Sequence, residues 1–155
     1  MSSRYWLFKS EPGAYSFDDL IQDGDAEWDG VRNFQARNLL RDEIKEGDRV
    51  LFYHSSTDPT AVIGTAVVLR EGYPDHTARD PKSTHPDPKS TPDNPIWFMV
   101  DIKADERLAS PVTLQAMRGN PNLASMLLLR RGMRLSVQPV TPEEFEAVCD
   151  MGRKP

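Results

Sequence analysis

The stretch that decides the fold runs from residue 49 to residue 69 and reads RVLFYHSSTDPTAVIGTAVVL. Two runs within it, at 49–54 and 61–69, are dominated by Val, Leu, Ile, Phe and Tyr, which favour β-strands. The turn-forming pair Asp58-Pro59 joins them. Both faces of these strands are largely apolar, which predicts a sheet that is closed or covered on both sides. A small β-barrel meets this condition.

Further strands are predicted on both sides of this hairpin. Runs rich in apolar and aromatic residues occur at 4–10, 97–102 and 135–140, and each is bounded by residues typical of turns. Together with the central hairpin they give five strands. Strands and helical segments both occur along the chain, and we expect an α+β fold.

Helix starts are marked by capping residues. Ser16 with Asp19, and Thr141-Pro142-Glu143-Glu144, have the spacing of a capping box, in which two side chains pair with the first free backbone N–H groups. Asn33 is placed to cap another helix, in which apolar residues recur at four-residue steps. A short helix is also expected from about Thr113.

Length and composition favour a single domain. A chain of 155 residues with 38% apolar residues is long enough for one core, and we expect one domain over residues 1–155. The segment from Gly72 to Pro95 holds six of the thirteen prolines and almost no apolar groups. It is predicted to be a long loop within the domain, and such loops are usually functional or disordered.

The charge distribution is uneven. The net charge of −5 argues against a long groove that follows many phosphates, because each phosphate contact needs a neutralising cation. From residue 107 through residue 142, however, the sequence has no Asp or Glu but five arginines, at 107, 118, 130, 131 and 134. These arginines form either a local basic face or a scattered set of solvated side chains.

Compartment and cofactors are constrained mainly by what the sequence lacks. The single Cys149 cannot form an internal disulfide, which favours a reducing compartment, and we expect the cytoplasm. No signal peptide and no run of 18 apolar residues is present, so we expect no membrane association. His76, Asp80, His85 and Asp87 have no spacing typical of metal ligands. No metal or other cofactor is therefore expected.

Three segments place aromatic rings beside charged or amide groups at predicted strand ends and helix starts. They are Lys9-Ser10-Glu11-Pro12, Trp28-Asp29-Gly30-Val31-Arg32-Asn33 and Phe52-Tyr53-His54-Ser55. Such an arrangement is suited to binding a flat polar ligand, because a Trp ring stacks on a base and an Asn amide pairs with the base edge.

Each of these residues also has a structural interpretation. Trp28 is either a ring that contacts ligand or part of the core. Asn33 is either a ligand contact or only a helix cap. Lys9 and Glu11 lie on one face of the first strand and form either an ion pair or an anion or acid–base site. His54 and Ser55 point to opposite faces of a strand and are therefore a poor catalytic pair.

These three segments, the first of them extended to Tyr5-Trp6-Leu7-Phe8-Lys9-Ser10-Glu11-Pro12, are followed by Leu129-Arg130-Arg131-Gly132 and Arg134-Leu135-Ser136-Val137. In this order the motifs closely resemble the EVE domain family, which includes small single-domain bacterial proteins. The resemblance spans nearly the whole chain. It implies a PUA-like fold, a twisted β-barrel of about five to six strands with surrounding helices. It also implies a non-enzymatic reader of a modified base in DNA or RNA, with modified cytosine in DNA favoured.

The resemblance also suggests which residues contact the ligand. The positions that match the family's pocket motifs are Lys9, Ser10, Glu11, Trp28, Arg32, Asn33, Tyr53, His54 and Ser55. Arg130 and Arg131 are expected to contact phosphates, Asp87 and Lys89 to belong to a lid formed by the long loop, and Trp97 is a weaker ligand candidate.

Two other functions remain open at this point. One is a sensor of a free nucleoside, nucleotide or other small metabolite. The other is hydrolysis of an acylated nucleoside, as in the related ASCH domains, with Lys9 as base, Ser10 as nucleophile and Glu11 as acid.

Overall fold

The computed structural model describes residues Arg4 to Lys154, and their order of elements is mixed α and β. The strands are β1 (Tyr5–Ser10), β2 (Asp25–Glu27), β3 (Arg49–His54), β4 (Ala61–Pro74), β5 (Phe98–Thr113) and β6 (Val137–Val140). The α-helices are α1 (Phe17–Asp23), α2 (Phe34–Asn38), α3 (Leu114–Arg118) and α4 (Pro142–Arg153), and short 3₁₀-helices lie at His76–Arg79, Pro121–Leu123 and Leu127–Leu129. The predicted α+β class is confirmed.

All six strands form one sheet in the order β2-β5-β4-β3-β1-β6. β1 and β3 are parallel, and the other pairs are antiparallel. The sheet is not closed, because the edge strands β2 and β6 are not hydrogen-bonded to each other. The predicted number of about five to six strands is therefore correct, but the sheet does not close into a barrel.

Helices cover both faces of the sheet, which explains why the central strands are apolar on both sides. On one face Phe8 and Phe52 are buried in a cluster with residues of α1 and α2 such as Phe17. On the other face Leu7 and Leu51 are buried in a second cluster that includes residues of α4. Because a core covers each face of the sheet, the central strands are apolar on both sides although the sheet does not close into a barrel.

The predicted caps are confirmed. Ser16 and Thr141 both form capping boxes, at the starts of α1 and α4. Asn33 caps α2, and Thr113 caps α3. α2 then passes without a break into a π-helix at Leu39–Glu43.

The sequence did not predict the lengths of all strands. β2 was missed, and β5 extends eleven residues beyond the predicted end at 102. The predicted loop at 72–95 begins too early, because β4 continues to Pro74, where it still pairs with Phe98. Among residues 4–154, no helix combines the length and the apolar character needed to cross a membrane.

Candidate functional site

A groove of about 340 Å³ lies between the start of α2 and the loop that precedes β6. This volume is within the range of small-ligand sites. We call it the basic groove. Its lining residues are Asn33, Gln35, Arg130, Arg131, Gly132, Met133, Arg134 and Leu135.

The start of α2 presents two amide side chains to the groove. Asn33 is extended, with a φ of −124°, and its Oδ1 accepts a hydrogen bond of 2.9 Å from the backbone N–H of Ala36. The cap therefore occupies the amide oxygen and fixes the side chain, and the amide nitrogen is the group that can donate to a ligand. Gln35 is exposed, and both ends of its amide are accessible.

The opposite wall is positively charged. Arg130, Arg131 and Arg134 are exposed, and among residues 4–154 none of them lies within 4.0 Å of a carboxylate oxygen. The loop turns at Gly132, which has a φ of +76°, a conformation that glycine adopts at little cost. Of the five arginines in this stretch of the sequence, these three form a local basic face, whereas Arg107 pairs with Asp18 and Arg118 lies in α3, outside the groove.

Lys9 binds the loop that carries these arginines. Its Nζ donates a hydrogen bond of 3.2 Å to the carbonyl of Met133, and partial burial lowers the pKa of the Lys9 ammonium. Its backbone N–H also donates to the carbonyl of Ser136. Lys9 therefore connects the end of β1 to the arginine wall and positions the basic groove.

Trp28 lies at the edge of the first core cluster. It is half-buried, and its ring centroid lies 5.3 Å from that of Phe8 and 5.5 Å from that of Phe52. Met133 packs against the same cluster, and Leu135 belongs to it. Trp28 is thus partly a core residue. Met133 and Leu135, which we call the apolar floor of the basic groove, connect the groove to the same cluster.

A buried carboxylate fixes the segment between Trp28 and Asn33. Asp75 accepts hydrogen bonds from the Gly30 backbone N–H (2.8 Å), from Arg32 Nη1 (3.0 Å) and from Thr77 N–H (2.9 Å) and Oγ1 (2.6 Å). Burial alone would raise the pKa of Asp75, but the donated hydrogen bonds outweigh it and lower the pKa. No local pattern in the sequence reports this role, because Gly30 and Arg32 lie more than forty positions away from Asp75.

Arg32 is directed away from the basic groove. Besides pairing with Asp75, its guanidinium donates from Nε and Nη2 to the carbonyl of His85, at 3.1 and 2.7 Å, and it lies over the ring of Trp97. Gly30 fits against the same loop, since a Cβ at this position would lie 2.6 Å from the His85 ring. The structure places Arg32 as a tether of the long loop, outside the lining of the basic groove.

The predicted lid is tied down by its own contacts. Asp87 accepts from the indole N–H of Trp97 at 2.6 Å and from the backbone N–H of Lys89 at 3.1 Å. These hydrogen bonds lower the pKa of Asp87. Trp97 is buried, which agrees with its place as the weaker ligand candidate. Lys89 is exposed, and none of the three lines the basic groove.

The remaining predicted contacts at the ends of β1 and β3 differ in their surroundings. Ser10 Oγ donates to the carbonyl of Tyr15, and Glu11 is exposed. Tyr53 is buried in the second cluster, on the face of the sheet opposite Phe52 and Trp28. Tyr53 therefore faces away from Trp28, whereas the ends of β1 and β3 lie side by side, since the Ser55 N–H donates to the carbonyl of Ser10. That Ser10 and Glu11 contact the ligand stays a prediction.

His54 and Ser55 do not form a catalytic pair. His54 Nε2 accepts the backbone N–H of Phe17 at 3.1 Å, and burial lowers the pKa of the imidazole. Ser55 donates its backbone N–H to the carbonyl of Ser10. Within the described part of the chain, no three His, Cys, Asp or Glu side chains are grouped closely enough to hold a metal ion.

Comparison with known proteins identifies the family. The EVE domain model matches residues 4–151. Mouse thymocyte nuclear protein 1 is 38% identical, over 96% of this chain and 74% of the mouse protein.

Two solved structures share the fold closely. A hypothetical protein from Leishmania major has a TM-score of 0.93 at 42% identity, covering 99% of this chain and 96% of that one. The human THYN1 protein, solved in complex with 5-methylcytosine containing DNA, has a TM-score of 0.89 at 38% identity and covers 99% of both chains. This chain therefore belongs to the EVE domain family.

Proposed function

We propose that this chain is a non-enzymatic DNA-binding module that reads a modified base, with modified cytosine as the favoured target. One observation carries the proposal: a single groove joins two amide side chains, three exposed arginines and an apolar floor. The human relative, whose structure contains 5-methylcytosine DNA, shares 38% of its sequence with this chain.

The groove offers each part of a nucleotide a suitable partner. The amides of Asn33 and Gln35 bind the polar edge of the base, in the way that Asn and Gln recognise bases elsewhere. Met133 and Leu135 contact the apolar part of the base, and the core cluster that Trp28 borders supports them. Arg130 and Arg131 hold the flanking phosphates through charge-assisted hydrogen bonds, which fix register and carry no sequence information.

The expected selectivity for a methyl group is modest. Burying one methyl group against an apolar floor stabilises a complex by about 0.8 kcal/mol, which corresponds to roughly fourfold tighter binding. A carboxylated cytosine has a charge that the arginine wall can pair, so we expect it to bind at least as tightly. Extracting a base from a duplex costs a few kcal/mol, and the phosphate contacts offset part of this cost.

A hydrolytic function fits the geometry less well. The hypothesis of an ASCH-like hydrolase requires Lys9, Ser10 and Glu11 to face one substrate. Instead, Lys9 donates to the carbonyl of Met133, and Ser10 donates to the carbonyl of Tyr15. A small-metabolite sensor uses the same groove, and it differs from a DNA reader by binding mononucleotides tightly with little dependence on salt.

Residence in the cytoplasm is part of the proposal. It rests on Cys149, which is buried and free of a disulfide, as is usual in a reducing compartment.

The test is a fluorescence-anisotropy titration of matched short duplexes. They contain plain, methylated, hydroxymethylated or carboxylated cytosine, and a further pair contains adenine and N6-methyladenine. We expect tighter binding of at least one modified cytosine. Gln35→Ala, whose side chain is exposed, should weaken binding of every cytosine duplex, because the amide contacts the base edge that they share. Equal binding of all duplexes refutes base reading, and tight mononucleotide binding favours the sensor.

A further inference from the structure

Phe34 is an aromatic side chain that the fold leaves in water. It is the first residue of α2, and 59% of its surface is exposed. Only two other large apolar side chains in the described part of the chain are exposed, Ile21 at 46% and Leu69 at 39%. Neither lies next to a residue of the basic groove in sequence, whereas Phe34 lies between Asn33 and Gln35, which both line it.

The ring of Phe34 is held in place although it is exposed. It stacks on the buried Trp97, with 4.9 Å between ring centroids and 29° between ring planes. The guanidinium of Arg37 lies over the Phe34 ring, 5.0 Å from its centroid. Arg37 is itself fixed by a hydrogen bond of 2.8 Å from Nη1 to the carbonyl of Ile96. An exposed ring with this support is preorganised for contact, because binding costs it little further conformational freedom.

The position of the ring next to the groove suggests what it contacts. If a base is drawn out of a duplex into the groove, a gap opens in the base stack beside it. Proteins that deform DNA commonly insert apolar side chains between base steps. The cations near Phe34, which are Arg37 and the arginines of the groove, match the negative charge of the surrounding phosphates.

We propose that Phe34 is a wedge that enters the base stack of duplex DNA and fills the space left by the base held in the basic groove. This inference rests on the proposed function and specifies its partner further, as a duplex and not a single strand. The tip of the ring contacts the neighbouring base pair, and Trp97 and Arg37 support the ring from within the protein.

The test compares Phe34→Ala with wild type on two targets that carry the same modified cytosine. In one the cytosine is paired with guanine in a duplex, and in the other it lies in a single strand. We expect the variant to bind the duplex about tenfold more weakly, since the wedge offsets part of the unstacking cost, and the single strand within about twofold of wild type. Phe34→Leu keeps an apolar wedge and should keep most of the duplex affinity.

Two further measurements separate the wedge from other roles. Ile21→Ala removes an exposed apolar side chain away from the groove and should change neither affinity. A fluorescent base analogue, 2-aminopurine, placed beside the modified cytosine reports unstacking, and we expect wild type to brighten it more than Phe34→Ala does.

Three results decide the matter. Equal losses on both targets, or unchanged duplex binding, overturn the wedge while leaving base reading intact. If wild type does not distinguish modified from plain cytosine on either target, the proposed function fails, and the wedge fails with it.

Discussion

Replacing Asp75 with Asn tests whether one buried carboxylate holds the site together. The side chain of Asp75 is completely buried, and that of Arg32 is 21% exposed. Asn keeps one oxygen, which can still accept from Thr77. Its amide nitrogen, however, then faces the N–H of Gly30 and the guanidinium of Arg32, so that donors meet donors.

The expected loss of stability follows from those two contacts. A buried N–H without an acceptor costs about 1 to 3 kcal/mol, and a mostly buried charge without its partner costs a similar amount or more. Arg32 keeps its hydrogen bonds to His85, which reduces the second cost. We therefore expect the free energy of unfolding to fall by about 3 kcal/mol, and Tm by about 6 to 12 °C for a domain of this size.

The assay is urea unfolding of wild type and Asp75→Asn at neutral pH, followed by circular dichroism. The matched control is Asp80→Asn, because Asp80 lies in the same loop but is exposed, and among residues 4–154 its carboxylate accepts only the Lys82 N–H, in an exposed turn. The control should change stability by less than about 0.5 kcal/mol. At urea concentrations below its unfolding midpoint, the Asp75→Asn variant should also bind DNA more weakly, since the segment from Trp28 to Asn33 loses its anchor.

The pH dependence gives a second readout. Because folding lowers the pKa of Asp75, its ionised form stabilises the protein above the ordinary Asp pKa of about 4. That contribution disappears as the pH falls through the lower pKa of the folded state. The gap between wild type and Asp75→Asn should therefore narrow in acid. A loss below about 0.5 kcal/mol at neutral pH, or a gap that does not depend on pH, would refute this role for Asp75.

Three further predictions concern the groove and its surroundings. Replacing Arg130 or Arg131 with Ala should reduce the slope of log affinity against log salt by about 1 for each arginine, with base preference retained. Asn33→Ser keeps the helix cap and should unfold like wild type, whereas Asn33→Ala should lose about 1 kcal/mol, and both should lose base preference. His54 has a lowered pKa in the folded state; its contribution is therefore present above about pH 6.5 and is lost as the pH falls through the folded pKa, so that His54→Gln should flatten the stability profile between neutral and mildly acidic pH.

Each of these has a result that contradicts it. An unchanged salt slope in both arginine variants would remove them from the phosphate contacts. Equal stabilities of Asn33→Ser and Asn33→Ala would mean that the cap contributes nothing. A stability profile that His54→Gln leaves unchanged would show that the imidazole is not an important acceptor.

The strands and caps with strong local signals were predictable from the sequence. β3 has the predicted bounds because its six residues, four of them apolar or aromatic, favour a strand wherever they are placed. β2 has no such signal: two of its three residues are acidic, and it exists because it pairs with β5. The far end of β5 is similar, since its exposed polar residues are ordered by pairing with β4.

The groove was predictable only in part. Asn33, Arg130 and Arg131 come together as expected because local features, a helix cap and a glycine turn, set their positions. Arg32 follows the same motif but points the other way, toward an aspartate forty-three residues distant, which no local pattern reports.

Tyr53 could have been excluded from the site by strand alternation. It neighbours Phe52, and adjacent residues of a strand lie on opposite faces. The role of Phe34 depends on Trp97 and Arg37 beneath it, and an exposed Phe at a helix start carries no signal by itself.

The most direct test of the central claim asks where the modified group lies in the complex. A duplex carrying an isotope-labelled methyl group on one cytosine is bound to the protein, and nuclear Overhauser contacts from that methyl group are measured. We expect contacts from the methyl group to Met133 and Leu135, the apolar floor of the basic groove. A methyl group that contacts neither residue, or that keeps the chemical shift of free duplex, would contradict it.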